Sequence, residues 1–165
     1  DPVIFCKPNS SITDTVYYFS DDTHYEAEIA FLIKDNTLAG VGIGLDLTKR
    51  DLQTKLKEKG YPWEKAKAFD GSAVIGKWFD KKEFDDLGKI DFALEKNNDI
   101  VQQGNTADMI YSIDAIIAHV SKYMTLKIGD VLFTGTPRGV GPIKIDDNFF
   151  WRKLHAIKSK NFPFS

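Results

Sequence analysis

Residues 23–35 read THYEAEIAFLIKD. From Ala27 onward the run is apolar and rich in β-branched and aromatic side chains, which predicts a strand over 24–33. Side chains two apart on a strand share a face. His24, Glu26 and Glu28 are therefore expected on one face, and Tyr25, Ala27 and Ile29 on the other. Two stacked carboxylates repel unless a cation or a base stands between them. A solvent-facing edge is the ordinary explanation of such a pair. Asp46 argues against it. It lies inside GIGLDLT, residues 42–48, among residues that read as core. A buried carboxylate is costly unless it is paired or binds a metal. Three carboxylates without a cysteine or histidine cluster form an all-oxygen set. That set suits Mg²⁺ or Mn²⁺, with Ca²⁺ as a third fitting ion.

Working outward, GVGIGLDL (40–47) reads as a second strand, joined to the first through a turn at Asp35–Asn36. TKRDLQTKLKEKG (48–60) reads as a helix with Thr48 as N-cap, Asp51 as a helix-start residue and Gly60 as its stop. VIFC (3–6) reads as a short strand ended by Pro8, and 90–95 with 99–102 as a strand pair around KNND. SIDAIIAHVSKYM (112–124) predicts a second helix with Ile113, Ile116, Ile117 and Val120 on one stripe. DVLFTG (130–135) reads as a buried strand running into TGTPRGVGP (134–142). Many strands, few helices and no β-α-β alternation predict a mainly β, α+β domain.

The chain has 165 residues, enough for one domain with its own core. With 22 basic and 24 acidic residues its net charge is -2, so no strong field draws nucleic acid or an acidic membrane. One cysteine, Cys6, excludes an intramolecular disulfide and a cysteine-based metal cluster. No apolar run has the length of a membrane span, and DPVIFCKP lacks a signal-peptide pattern, so a cytoplasmic location is expected. TGTPRGVGP lacks the Gly-Lys-Ser/Thr ending of a phosphate loop. Cys6 reads as buried packing and Lys7 as a strand-positioning residue. Trp63 reads as a structural plug and Asp70 as a residue that caps or pairs Lys67. His119 is expected at the border of the core, and His24 as a residue that orients the glutamates.

Five stretches occur in one order: HYEAEI (24–29), GLDLTKRDLQ (44–53), GYPWEKAKAFD (60–70), QQGNTADMI (102–110) and LKIGDVLFTGTPRGVGP (126–142). Together they resemble the fumarylacetoacetate hydrolase family, in its small-domain branch of acylpyruvate hydrolases, oxaloacetate decarboxylases and related isomerases. The resemblance implies a mixed β-roll with a few short helices, a homodimer, Mg²⁺ or Mn²⁺, and a small 2-oxo acid substrate. It implies Glu26, Glu28 and Asp46 as metal ligands and Lys67 as the catalytic group facing the substrate. Arg50 and Gln53 would be polar pocket residues, and Thr136 would lie near the substrate carboxylate.

The implied chemistry suits these residue types. A 2-oxo acid chelates a cation through its carboxylate and 2-oxo oxygens. Cleaving an acylpyruvate, or decarboxylating oxaloacetate, leaves a pyruvate enolate that a fixed cation stabilises. Isomerisation or hydration of 2-hydroxy-dienoate intermediates, or a catalytically silent metal-binding domain, are the alternatives. The family pattern also places a His and a Glu on a mobile lid upstream of FCKP as the source of a base. No such pair precedes Asp1, and a domain without that lid is the expectation. Residues 143–165 depart from the pattern as well. They hold no glycine and carry Trp151, Arg152, Lys153, Lys158 and Lys160, which read as a solvated basic tail in place of the family's final strand.

Overall fold

The computed structural model describes residues 1–34 and 37–155. Its strands are β1 (Ile12–Thr13), β2 (Thr23–Tyr25), β3 (Ala27–Lys34), β4 (Thr37–Asp46), β5 (Thr48–Lys49), β6 (Ala73–Ile75), β7 (Phe79–Asp80), β8 (Asp91–Lys96), β9 (Asp99–Asn105), β10 (Val131–Phe133), β11 (Gly141–Pro142) and β12 (Phe149–His155). Three short helices accompany them: α1 (Arg50–Glu58), α2 (Glu64–Lys67) and α3 (Ile113–Val120). The main sheet has the order β1-β6-β4-β3-β10, with β7 also paired to β4, and two three-stranded sheets, β11-β2-β5 and β12-β8-β9, curl around it. This is the mainly β, α+β roll that the sequence predicts.

The centre of the roll is the β3–β4 pair. In its antiparallel register Ala27 faces Leu45, Ile29 faces Ile43 and Phe31 faces Val41. These residues form one face, packed with Phe92 and Leu94 of β8 and with Ile90 and Ile143. Burying each of the larger side chains contributes about 1.5–3 kcal/mol. The opposite face holds Glu28 across from Gly44 and Ala30 across from Gly42. Aromatic rings lie on this second face: a Cβ at Gly44 would stand 2.6 Å from the Phe133 ring, and one at Gly42 2.9 Å from the Trp78 ring. Both faces are therefore covered, and the small residues of GVGIG make room for the rings.

Several local expectations are corrected. The predicted strand over 24–33 is split at Glu26: β2 pairs with β5 and β11, while β3 pairs with β4 and β10. Residues 3–6 form no strand, because no neighbouring strand offers them a ladder. Cys6 is consequently exposed, at the rim of a cavity, with its sulfur 3.9 Å from that of Met124. Thr48 belongs to β5 and does not cap α1; the Asp22 carboxylate instead accepts the Asp51 N–H at 2.5 Å. The second helix is shorter than 112–124, with Ser112 accepting the Ala115 N–H as its cap. The β8–β9 turn follows expectation, with Asn97 and Asn98 both at positive φ. The turn residues Asp35 and Asn36 lie outside the described residues.

The chain end is not simply a solvated tail. β12 pairs antiparallel with β8. Trp151 packs against the core, and Arg152 holds the buried Glu95 through two hydrogen bonds, at 2.6 and 3.2 Å. Exposure alternates over 149–152, with Phe149 and Trp151 half-buried and Phe150 and Arg152 exposed, and the strand forms without glycine. The side chains of Lys153 and His155, and all of Lys158 and Lys160, lie outside the described residues. No helix among the described residues is long and apolar enough to cross a membrane.

Candidate metal centre and active site

The break at Glu26 creates the site. Glu26 sits between two sheets, Glu28 is the second residue of β3, and Asp46 closes β4 on the same face. The Asp46 N–H donates to the Glu26 carbonyl at 2.9 Å, which ties the strand ends together. One oxygen from each of the three carboxylates lies within 4.8 Å of the others. All three residues are buried, with 7%, 4% and 2% of their surface exposed for Glu26, Glu28 and Asp46.

Three cations surround them. Lys67, at the end of α2, places its ammonium 2.7 Å from Glu26 Oε2 and 2.7 Å from Asp46 Oδ2. Arg50, the first residue of α1, binds Glu26 Oε1 and donates to Gln53 Oε1 at 3.0 Å. Lys7 stands 2.7 Å from Asp46 Oδ1, and also donates to Lys67 and Ser72. Lys7 therefore reaches the site itself, which corrects its reading as a strand-positioning residue. The local sequence carries no signal of this contact, which joins Lys7 to a residue far along the chain.

The electrostatics separate the three acids. Burial raises the Glu26 carboxyl, but Lys67 and then Arg50 outweigh burial and hold it below the usual range. Glu28 forms no ion pair among the described residues. Its partner is the Gly135 N–H at 2.7 Å. Burial, followed by the negative charge of Asp46, pushes Glu28 up to about 8. Burial pushes the Lys7 ammonium down, against the pull of Asp46. Asp46 Oδ1 is buried and has Lys7 as a charged neighbour, yet it receives no directed hydrogen bond among the described residues. An uncompensated carboxyl beside an undersaturated buried oxygen, in an all-oxygen set, fits a hard divalent cation. Glu26, Glu28 and Asp46 would hold it.

The carboxylates open into a cavity of about 1000 Å³ that Arg50, Gln53, Lys67 and Thr136 also line. The structure thus brings together every residue singled out for the site. Thr136 differs from expectation in one respect. Its hydroxyl donates to the Ala27 carbonyl at 2.9 Å and accepts from Gln102 at 2.9 Å, so its one proton is already engaged. His24 lies in the other sheet and, among the described residues, hydrogen-bonds neither glutamate and leaves its buried Nδ1 without a partner. Asp70 is exposed, and Lys67 pairs with Glu26 and Asp46 in its place. Trp63 lines the cavity beneath the Lys57 ammonium, 4.3 Å from the ring centroid. His119 is half-buried against Tyr123.

Residues 1–160 match the fumarylacetoacetate (FAA) hydrolase C-terminal family. The chain belongs to the fumarylacetoacetate hydrolase family. An oxaloacetate tautomerase of Escherichia coli strain K12 is 43% identical over 164 residues, covering 89% of this chain and 75% of that protein. A fumarylacetoacetate hydrolase family protein from Yersinia pestis CO92 superposes with a TM-score of 0.86 at 40% identity, covering 92% of this chain and 80% of that one. A fumarylpyruvate hydrolase from Pseudomonas aeruginosa, solved in complex with Mn²⁺ and pyruvate, superposes with a TM-score of 0.82 at 30% identity, covering 90% and 72%. The chain is an enzyme of this family, with an acidic triad at the head of its cavity.

Proposed function

We propose that this enzyme stabilises the enolate of a dicarboxylic 2-oxo acid, and that keto–enol tautomerisation of oxaloacetate is its reaction. The observation that carries this reading is the charge balance of the site. Around one cavity the three carboxyls of Glu26, Glu28 and Asp46 equal in number the three cations Lys7, Lys67 and Arg50, with Glu28 the carboxyl left without an ion pair among the described residues. A divalent cation, Mg²⁺ or Mn²⁺, then leaves two positive charges in surplus, which a dianionic substrate neutralises. Similarity to the Escherichia coli oxaloacetate tautomerase supports the choice of substrate.

When bound, the cation would supply Lewis acidity toward the carboxylate and 2-oxo oxygens of the substrate. The chain's own groups do the rest. Lys67 has three N–H donors. Two are engaged by Glu26 and Asp46, which leaves one for the oxygen where negative charge develops. Arg50 and Gln53, joined to each other, offer donors at the cavity wall. No histidine lines the cavity among the described residues. Tautomerisation needs a proton moved between C3 and the 2-oxo oxygen, and no activated water.

The test follows the enol of oxaloacetate by its ultraviolet absorbance with Mn²⁺ present. The enzyme is expected to speed its conversion above the solution rate, and Lys67→Met to lower turnover by about 100-fold or more. Interconversion at the solution rate would overturn this reading.

A second reading, hydrolysis of an acylpyruvate or decarboxylation of oxaloacetate, is favoured by similarity to the fumarylpyruvate hydrolase. It passes instead through the enolate of pyruvate, with negative charge developing on the corresponding 2-oxo oxygen, and it predicts pyruvate release from the substrate. The assembly we propose is a homodimer, with Ile110, Tyr123 and Ile128 flanking α3 as exposed apolar side chains for the partner copy. Light scattering at twice the monomer mass is the expected result.

A further inference from the structure

Gln102 on β9 is 1% exposed and does not line the cavity, yet it closes a ring of hydrogen bonds around the residue between the two glutamates. Its Oε1 accepts the Ala27 N–H at 2.9 Å. Its Nε2 donates to Thr136 Oγ1 and to the Pro137 carbonyl, both at 2.9 Å. Thr136 Oγ1 donates in turn to the Ala27 carbonyl at 2.9 Å. The Ala27 N–H belongs to the peptide joining it to Glu26, and its carbonyl to the peptide joining it to Glu28. Both peptide planes that carry the glutamates are therefore fixed by side chains.

The need for this ring is visible in the strand pairing. β10 pairs with β3 through Phe133 and Ala30 and then stops. Beyond that point, in the same register, Thr134 Oγ1 donates to the Ile29 carbonyl at 2.9 Å and the Gly135 N–H reaches the Glu28 carboxylate. Side chains replace the backbone ladder where the strand carries its carboxylates. Gln102 then locks the loop to Ala27.

We propose that Gln102 is a positioning residue of the cation centre. It sets the relation of Glu26 to Glu28 and seats the loop that holds Glu28. The inference rests on the reading of Glu26, Glu28 and Asp46 as cation ligands. A buried glutamine that merely satisfies polar groups would matter to folding and not to cation affinity.

The test is calorimetric titration of the folded protein with Mn²⁺ alone, without substrate, beside metal-free melting curves. Omitting substrate keeps any contact of Thr136 with the substrate out of the measurement. Gln102→Met and Thr136→Val each open the ring, and each is expected to weaken Mn²⁺ binding by about tenfold or more. Thr136→Ser restores the hydroxyl and is expected to bind Mn²⁺ as the parent does. Should Gln102→Met fail to fold, the Thr136 pair tests the same ring. Parental Mn²⁺ affinity in the ring-opening variants, whatever their melting temperatures, overturns the inference alone. A parent that binds no Mn²⁺ overturns the cation reading itself, and this inference with it.

Discussion

The two ends of β3 are held in different ways. Toward Lys34 the strand pairs with β10 through backbone groups, Leu32 with Val131 and Phe31 with Leu132, and its side chains are apolar. Toward Ala27 the same register continues, but hydroxyls, an amide and one glycine N–H make the bonds. Backbone pairing is available to almost any sequence that buries the right face. The other end needs a hydroxyl at Thr134 and Thr136, a glycine at 135 and a glutamine at 102. The candidate site sits where the generic ladder has been replaced by specific side chains.

Removing a carboxylate from the specific end should have the largest effect. Glu28→Ala is expected to abolish Mn²⁺ binding in calorimetry, and a variant that binds as the parent does would remove Glu28 from the ligand set. Gly135→Ala comes next. Gly135 has φ 95°, and an added Cβ meets no atom within 4 Å, so the cost is backbone strain of about 1–2 kcal/mol. The strain is expected to pull the N–H off Glu28, weakening Mn²⁺ binding and lowering the melting temperature together.

A change of pH acts on the same end. Folding raises Glu28 from 4.5 to about 8, so between those values the folded chain holds a proton that the unfolded chain has released. Glu28's contribution to metal-free stability is then present below about pH 4.5 and lost as pH rises through about 8, and Glu28→Gln should flatten that slope in thermal melts. Mn²⁺ must displace the proton, so its affinity is expected to rise about tenfold per pH unit up to that point. The smallest effect belongs to the generic end. Ile33→Val is expected to cost about 1 kcal/mol in denaturant unfolding and to leave Mn²⁺ affinity unchanged. A large loss of affinity there would erase the distinction between the two ends.

Much of the generic end was legible. The apolar run over 27–33 and the glycine–apolar alternation over 40–45 pointed to β3 and β4, and a carboxylate at Asp46 inside an apolar run pointed to a buried charge. The resemblance of five stretches to one family then supplied Lys67, Arg50, Gln53 and Thr136, and the structure gathers them at one cavity. The break at Glu26 was hidden because the alternation from His24 to Ile29 runs straight through it; only the change of partner strands creates it. Residues 3–6 show the reverse fault. An apolar run says that side chains avoid water, and nothing in it says whether a ladder partner exists. Asp22 capping α1, Lys7 beside Asp46 and Gln102 on Ala27 are all contacts across the chain. Local spacing carries no mark of them.

The separations along the chain have a kinetic consequence. Gly135 is 107 residues from Glu28, Gln102 is 75 from Ala27, and Lys67 is 41 from Glu26. Closing such loops costs entropy before any of these bonds forms, so contacts of this range tend to appear late in folding. A half-folded chain has no centre for a cation to bind. A cation bound at the proposed centre would then stabilise the closed state without helping the chain to reach it. In stopped-flow experiments Mn²⁺ should slow unfolding and leave the refolding rate nearly unchanged. The metal would act as a latch on a finished roll, and not as the nucleus around which the roll is built.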